Sequence, residues 1–427
     1  MAAHTSARVF YGWWIVGAAF LNLFFAVGIV FYGFPVFYPL LVKSLGFTHA
    51  QVTQGFLLGF MLVGLPFGFL AGVLIDGMGA RAVILSGIGF VGGSLILMGL
   101  ISRLWQYDIL CSTEVLGYVL AGPIPNQVLI TNWFTAKRGR AMGYAYLGLG
   151  MGGAASPVAL DLLIRSFGWR HAFEITGAAI LAVLFPVGLF VTRSAPVDMG
   201  LSPDELTGSS AVTAIDRSDS GEEVKGAVQT ANFWLIVLGC TLVIGAIGAV
   251  IQHLILFLEN QGYSAGEASL FSSAMLVSSL AGRVLVGYLA DRFRKKNVMA
   301  LFYLVLGLSI PLLFFARQTA LMWSFVIIFG FAMGADYMLV PLVTAECFGL
   351  KALGKLLALI IMGYSVGQWV APWLAGVIFD VNHSYAVAWY IMAAAAVAGA
   401  IAIYLVSPLR RRKTAKLIAP ALAAPED

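Results

Sequence analysis

Long apolar segments separated by short polar ones make up almost the whole chain. Each apolar segment has about 20 residues or more, which is the length that an α-helix needs to cross the hydrocarbon core of a bilayer. The polar stretches between them are too short for a folded soluble domain, so we expect an all-α membrane protein. The pattern predicts twelve transmembrane helices, over residues 10–40, 51–75, 82–101, 106–134, 140–164, 169–192, 231–259, 263–290, 297–316, 319–345, 355–380 and 385–406.

Composition and charge agree with this interpretation. Hydrophobic residues make up 60% of the chain and charged residues 11%, against about 25% charged residues in an ordinary soluble domain. Of the 25 Lys and Arg, five fall in loops on one side of the predicted helices, one is Arg283, and nineteen fall in the termini and loops on the other side. The positive-inside rule therefore predicts cytoplasmic termini, in a multi-pass protein of the plasma (cell inner) membrane. The net charge of +5 reflects this topology and gives no argument for a nucleic-acid partner.

One full charge lies deep inside a predicted span. Arg283 belongs to the apolar stretch 265–291. An arginine at that depth costs at least about 2.5 to 3.5 kcal/mol, so it needs a partner or a water-filled cavity. Ser272, Ser279 and Arg283 are spaced i, i+7 and i+11, which places them on roughly one face of the helix. We expect that face to look into the protein, where a mobile anion would be a suitable partner for the guanidinium.

The chain carries an internal repeat with an offset of 215 residues. Glycine is common here, so a single match is weak, but eight matches that mix glycine, proline, acid and base predict two homologous six-helix halves. The matched pairs are Gly72 and Gly287, Asp76 and Asp291, Arg81 and Lys296, Gly139 and Gly354, Arg140 and Lys355, Gly148 and Gly363, Gly152 and Gly367, and Pro157 and Pro372.

The least apolar long stretch lies between the two halves, rich in Ser, Asp, Glu and Pro as a linker should be. The predicted organisation follows from it. Residues 1–193 form an N-terminal six-helix bundle and 194–230 a cytoplasmic linker. Residues 231–406 form a C-terminal six-helix bundle and 407–427 a cytoplasmic tail.

Two six-helix halves, a long central linker and a doubled glycine, acid and base turn resemble the major facilitator superfamily over the entire chain. Within it, the likeness is closest to the monocarboxylate transporters and to the related oxalate/formate-type anion exchangers. The matching stretches are Gly12-Trp13-Trp14 at the start of the first helix, residues 133–148 entering the fifth, and Phe233-Trp234 at the start of the seventh. The resemblance implies the major facilitator fold, with two pseudo-symmetric six-helix halves.

The same resemblance implies a role for Arg283, because an arginine on the eighth helix of these transporters binds the substrate carboxylate. Two departures limit what can be carried over. The family usually places an aspartate four residues before that arginine and a lysine inside the first helix. This chain has Ser279 at the first position and no lysine before Lys43. The proton relay of the family therefore cannot be assigned to residues here.

The resemblance also implies that the first, fourth, seventh and tenth helices line a central cavity. Their polar residues, with two on the eleventh helix, are the further candidates for the substrate site. For His253 the alternative is a structural histidine bonded to a hydroxyl or carbonyl, and for Arg283 a structural cation paired with Asp336 or Glu114. The predicted substrate-binding residues are Arg283, His253, Tyr118, Asn126, Tyr337, Tyr364, Tyr32 and Gln368.

Asp336 and Glu114 are the acids that lie clearly inside predicted spans, which makes them the candidates for proton coupling. A carboxylate that pairs with Arg283 in the empty carrier would be displaced by substrate and would then take up a proton in a dry site. Asp336 is the first choice because it lies near the middle of a cavity-lining helix. The alternative is a neutral carboxyl group that hydrogen-bonds two helices together.

The repeated turns carry a second kind of candidate. Asp76, Arg81, Asp291 and Lys296 lie near helix ends at the predicted cytoplasmic face. There the acids can accept hydrogen bonds from helix N-termini and pair with arginines of neighbouring helices. We expect these four residues to be gates that hold the outward-open state and do not touch substrate.

The sequence thus predicts a secondary active transporter that carries a small monocarboxylate, such as lactate or pyruvate, together with a proton. It would work as a monomer in the lipid bilayer by alternating access. The alternative is an oxalate/formate-type anion exchanger, although a dicarboxylate would prefer two cations and the predicted spans hold one. A Ser/His pair or an H-E-x-x-H motif would indicate an enzyme, and neither is present. The sequence predicts no cofactor or metal site, since its three cysteines stand alone in separate helices.

Overall fold

The computed structural model of the chain is helical almost throughout. Within the part of the chain that it describes, no strand occurs, in agreement with the predicted all-α class. That part comprises residues 10–134, 137–201, 224–334, 336–349 and 353–407, apart from the side chains at 68–72, 76, 138, 139, 287, 291, 336–338 and 354.

The described helices divide into twelve segments, a number consistent with the apolar pattern. Nine continuous stretches are long and apolar enough to cross a membrane. A break at Gly168 divides one of these in two, and two further segments are interrupted at Gly122 and after Met333. The segments are Gly12–Leu45 (α1), 49–78 (α2), 80–98 (α3), Leu104–Ala121 with Pro123–Trp133 (α4), 138–167 (α5), 169–191 (α6), Ala231–Asn260 (α7), Ala265–Arg292 (α8), Lys295–Ser309 with Ile310–Phe315 (α9), Thr319–Met333 with Asp336–Phe348 (α10), Leu353–Asn382 (α11) and Ala386–Leu405 (α12).

Glycines in left-handed backbone end several of these helices. Gly79 (φ 79°) separates α2 from α3, and Gly168 (φ 80°) separates α5 from α6. Gly46 (φ 71°) and Gly262 (φ 98°) follow α1 and α7 in the same way. A residue with a Cβ adopts such angles only with strain, so glycine allows the chain to reverse in one or two residues.

The helices have two common ends, which we call the terminal side and the distal side. On the terminal side, the Tyr11 hydroxyl before α1 donates to the Val191 carbonyl at the end of α6, at 2.8 Å. There too, Asn232 in α7 and Ser407 after α12 exchange two hydrogen bonds of 2.7 and 2.9 Å. The distal side carries the other ends of these helices. Each half of the chain is therefore fastened from its first to its last helix.

The two halves use the same small-residue contact inside. Gly152 of α5 lies directly against the Phe24 carbonyl of α1, and Gly367 of α11 lies against the Thr241 carbonyl of α7. A Cβ at either glycine would overlap the facing carbonyl. Close crossings of this kind are typical of membrane helices with small residues at their interface. The crossing explains why the repeat pairs glycine with glycine at these two positions.

The basic residues of the repeated turns bind the ends of neighbouring helices. Arg81 donates to two carbonyls at the end of α6, at 3.2 and 2.5 Å, and Lys296 donates to two carbonyls at the end of α12, at 2.9 and 2.5 Å. A cation is favourable there because the last carbonyls of a helix have no intrahelical donors. The side chains of Asp76 and Asp291 lie outside the described residues, so gating by the four residues stays a prediction.

On the distal side the two halves touch each other. The Asp380 carboxylate of α11 accepts from the backbone N–H groups of His49 and Ala50 at the start of α2, both at 2.9 Å. The His49 imidazole Nδ1 lies 3.3 Å from the same carboxylate. Nearby, the Tyr38 hydroxyl of α1 donates to the Gln252 side chain of α7 at 2.8 Å. Polar contacts thus close this side between the halves.

Asp380 completes a helix cap across the two halves. The first N–H groups of any α-helix lack intrahelical acceptors. In α2, Thr48 accepts from the third of them, the N–H of Gln51, at 3.2 Å, while Asp380 accepts from the first two. Protein groups therefore cap all of these N–H groups of α2 in this structure, in which the two halves are in contact on the distal side.

We expect Asp380→Ala to loosen this closure. Loss of a capping carboxylate costs about 1 kcal/mol, which shifts a two-state equilibrium roughly fivefold. Spin labels at Ser44→Cys and Ser384→Cys, both exposed on the distal side, should show a larger population of long distances in the variant. Glu174→Ala is the control, because Glu174 pairs at 2.8 Å with His171 of its own helix. Identical distance distributions in Asp380→Ala and the parent protein would contradict the assignment.

Candidate substrate site

A small cavity lies between the two halves. Most of its wall is apolar. Three polar residues reach it, Tyr32 from α1, Arg283 from α8 and Gln368 from α11, and all three are predicted substrate-binding residues. The apolar lining consists of Phe31, Ile244, Ile247, Gly248, Ile251 and Met333.

Arg283 is placed in the wall by two close helix contacts. Helix α8 begins with a capping box between Ser264 and Glu267, which fixes its start. Gly334 of α10 packs against the Arg283 backbone, so α8 and α10 cross closely at this level. Across the interface, Gly150 of α5 leaves room for the guanidinium, whose Nη1 lies 3.3 Å from the position that a Cβ would take there. Small residues on both neighbours therefore create the space that the arginine fills.

The Arg283 guanidinium is half-buried and has no anionic neighbour in the described structure. Among the residues whose side chains are described, it forms neither a salt bridge nor a hydrogen bond. A guanidinium presents five N–H donors in a planar fork. An uncompensated charge at membrane depth is unfavourable. The arrangement is therefore well suited to an anion that enters the cavity.

Two tyrosines of the N-terminal half complete the polar surroundings. The Tyr32 ring lies against Gly153 of α5 and edge-on to Phe31, with ring centroids 4.9 Å apart. Tyr118 of α4 lies near Tyr32 and Tyr146. The predicted residues Tyr32 and Tyr118 thus lie together.

An aromatic cluster between the two halves borders the cavity at Phe31. Trp369 of α11 packs on three rings of the N-terminal half: Phe31 at 5.7 Å, Phe56 at 5.7 Å and Phe60 at 6.2 Å between ring centroids. The Phe56 ring is stacked on Trp369 at an angle of 14°. Trp369 is not among the predicted site residues, although its place next to Gln368 was an available signal. The cluster reaches the cavity wall through Phe31.

His253 lies away from this cavity wall. Its side chain is fully buried in the C-terminal half, where Nδ1 lies 3.0 Å from the Tyr385 hydroxyl and Nε2 lies 2.8 Å from the Pro372 carbonyl. Both ring nitrogens are therefore occupied by protein groups. In this structure the histidine connects α7, α11 and the start of α12.

Asn126 serves the backbone of the interrupted helix α4. Pro125 has no N–H, so the Ala121 carbonyl lacks the donor that a regular helix would supply. The Asn126 amide donates to that carbonyl at 2.8 Å, and the Asn22 amide of α1 donates to it at 2.6 Å. Two side chains thus replace the donor that the proline removes, and α1 is tied to the break in α4.

The remaining candidates are placed as follows. Glu114 is 1% exposed, and neither of its carboxyl oxygens has a hydrogen-bond partner within the described structure. It forms no ion pair with Arg283. Tyr364 is buried on α11. Asp336 and Tyr337 begin the second part of α10, but their side chains lie outside the described residues.

The sequence matches the family model described as Major Facilitator Superfamily over residues 20–335 and, in a second match, over 254–424. The chain belongs to the Major Facilitator Superfamily. The predicted superfamily and its two-half fold of transmembrane helices are thus confirmed. As a member of this superfamily, the protein is a multi-pass membrane transporter, and transporters built from repeated halves bind their solutes at the interface of the repeats.

Similar proteins agree with this family, and similar solved structures share the fold. The MFS transporter asaE of Aspergillus flavus is 27% identical over 316 residues, which is 73% of this chain and 67% of that protein. Monocarboxylate transporter 12 of Mus musculus is 25% identical over 370 residues, 82% of this chain and 74% of the relative. Among solved structures, the inward open xylose transporter XylE of E. coli has a TM-score of 0.68 at 15% identity, covering 94% of this chain and 97% of its own. A bacterial homolog of the human lysosomal transporter Spinster, inward-facing and unoccupied, has a TM-score of 0.67 at 16% identity, covering 95% and 96%.

The different surroundings of His253 and Arg283 predict opposite effects on stability. His253→Ala should lower the thermal unfolding midpoint in detergent, because each buried partner left unsatisfied costs about 1 to 3 kcal/mol. Tyr385→Phe removes one of the two partners and should cause a smaller decrease. Arg283→Gln should leave the midpoint unchanged or raise it, because it removes a cation without a described partner. An unchanged midpoint in His253→Ala would show that the two hydrogen bonds are not structural.

Proposed function

We propose that this protein is a secondary active transporter that moves a small monocarboxylate of the lactate or pyruvate type together with a proton. The observation that carries the proposal is the open, half-buried guanidinium of Arg283 in the cavity between the halves. A guanidinium can bind one carboxylate through two parallel hydrogen bonds. The similarity to a relative named monocarboxylate transporter supports the same class of substrate.

The remaining wall supports a small solute with a short carbon chain. Apolar contact is available from Ile244, Ile247, Ile251 and Met333. Gln368 adds an amide group to the same lining. An oxalate-type dicarboxylate would bring a second negative charge, and the lining contains one cation. The oxalate/formate-type exchanger is therefore the second candidate, and the transport assay below separates the two.

The proposed orientation places the terminal side in the cytoplasm. Nineteen of the 25 Lys and Arg lie in the termini and in the loops on that side, as the positive-inside rule requires. The location is the plasma (cell inner) membrane, with the single chain as the functional unit. In this orientation the contact between Asp380 and α2 closes the outside of the carrier.

Transport would then proceed by rocking of the two halves around the cavity. Opening the distal side separates Asp380 from the start of α2 and Trp369 from its three aromatic partners. Asp76, Arg81, Asp291 and Lys296 are proposed as gates on the terminal side, where the two basic residues hold the ends of α6 and α12.

Proton coupling is proposed to use an acid that neutralises Arg283 when the cavity is empty. Asp336 remains the first choice from its place at the interruption of α10. Glu114 is the second choice, since an ionised carboxylate without a partner is costly in a buried site and a bound proton removes that cost. Substrate would displace the acid from the guanidinium, and the displaced acid would then bind a proton.

Arg283→Lys keeps the charge but loses the planar fork, and Arg283→Gln loses both, so both variants should nearly abolish uptake of labelled lactate into proteoliposomes. Both Arg283 variants should still express and fold. The control is Arg317→Gln, which changes an exposed arginine outside the cavity. Competition by acetate, lactate, pyruvate, oxalate and formate identifies the solute class. Strong competition by oxalate with none by lactate would favour the exchanger, and wild-type lactate affinity in Arg283→Gln would place the site elsewhere.

Asp336→Asn should reduce lactate accumulation under an imposed pH gradient but spare the exchange of labelled for unlabelled lactate. The reason is that exchange never passes through the empty closed carrier, in which the acid is needed. Glu114→Gln is the parallel variant. Full accumulation by both variants would contradict coupling through either acid.

A further inference from the structure

A tyrosine and a glutamine of the N-terminal half form a hydrogen-bonded pair between α4 and α5. The Gln127 side-chain amide of α4 donates to the Tyr146 hydroxyl of α5. Gln127 is exposed and Tyr146 is partly exposed, although both lie within transmembrane segments. Polar groups at such depth are unfavourable against lipid and are expected to face protein or a water-filled cavity.

The pair lies on the cavity side of α5. Tyr146, Gly150 and Gly153 are spaced i, i+4 and i+7, so they share one face of that helix. On this face Gly150 lies next to the Arg283 guanidinium, and Gly153 lies next to the Tyr32 ring. Arg283 and Tyr32 both line the cavity. Tyr146 therefore stands one helical turn from the glycine that accommodates the guanidinium.

The depth of the pair also matches that of the arginine. Gln127 lies six residues before the terminal-side end of α4, and Tyr146 lies eight residues after the start of α5. Arg283 lies nine residues before the end of α8. At a rise of about 1.5 Å per residue, these positions are about 9, 12 and 14 Å from the helix ends. The pair and the arginine are thus at similar levels on opposite halves.

The direction of the hydrogen bond leaves the tyrosine ready to donate. Gln127 gives its N–H to the phenol oxygen, so the Tyr146 O–H proton is free for another acceptor. A donor that itself accepts a hydrogen bond is polarised and donates more strongly. A carbonyl or hydroxyl oxygen of a bound solute is an acceptor that fits this proton.

We infer that Tyr146, supported by Gln127, binds the oxygen on the second carbon of the transported acid. This contact makes the pair a specificity-determining element that selects 2-hydroxy and 2-oxo monocarboxylates over unsubstituted acids of the same length. The inference rests on the proposed function, with the carboxylate at Arg283. The physical reason is that a site built to hydrogen-bond a substrate oxygen is left with an unpaired polar group when that oxygen is missing.

The test compares lactate with propionate, which has the same carbon chain without the hydroxyl group. Both acids are measured as KM and rate in proteoliposomes containing the full-length protein. Wild type should prefer lactate, and Tyr146→Phe should raise the KM for lactate roughly fivefold to tenfold while leaving propionate unchanged. Gln127→Leu should reduce the preference in the same direction by a smaller factor. The KM values for lactate and propionate are measured on the same preparation, so their ratio does not depend on the yield of folded protein.

Tyr144→Phe is the matched control. Tyr144 lies on the same helix two residues away, is 48% exposed and packs edge-on against Trp13. Loss of the Tyr144 hydroxyl should leave the ratio of the KM for lactate to the KM for propionate unchanged. An unchanged ratio in Tyr146→Phe, or equal weakening of both acids, would overturn this inference while Arg283-dependent uptake still supports the proposed function. Uptake of neither acid by the wild-type protein would overturn both.

Discussion

Inside a bilayer, every backbone donor and acceptor needs a partner within the protein, and this constraint explains many polar contacts of the chain. At the proline break in α4, Asn22 and Asn126 supply donors to the Ala121 carbonyl. At the ends of α6 and α12, the basic residues of the repeated turns bind free carbonyls. At the start of α2, the acceptor for two N–H groups is Asp380 of the other half. Backbone satisfaction therefore joins helices, and in one place it joins the halves.

Arg283 stands out against this background. Several buried polar side chains in the described structure serve the backbone or another side chain, whereas the Arg283 guanidinium has no described partner. The internal repeat sharpens the contrast, because the position 215 residues earlier is Gly68. The features that the two halves share are the close glycine crossings and the helix ends bound by Arg81 and Lys296. At the position that breaks this symmetry, Arg283 supplies a charge around which a binding site can form.

The sequence determined the helical architecture because the bilayer leaves few options. A run of about 20 apolar residues can be satisfied there as a helix, so the twelve segments followed from length and hydropathy. The offset of 215 residues predicted the two halves without coordinates. The need of Arg283 for a partner or a water-filled cavity was also predictable, because a charge inside an apolar span is visible in the sequence. Tyr32 and Gln368 line the cavity, and their role in substrate binding stays a prediction.

The tertiary structure decided the roles of the neutral polar residues. His253 and Asn126 have the chemistry of ligands, but the Pro372 and Ala121 carbonyls lie within their reach and take their hydrogen bonds. Trp369 could have faced lipid as an aromatic residue of a membrane helix, yet it stacks on Phe56 of the other half. A neutral hydrogen-bonding side chain can bind either a ligand or a protein group. Its role therefore depends on which acceptor lies about 3 Å away. That distance is set by how the helices cross, and hydropathy does not encode it.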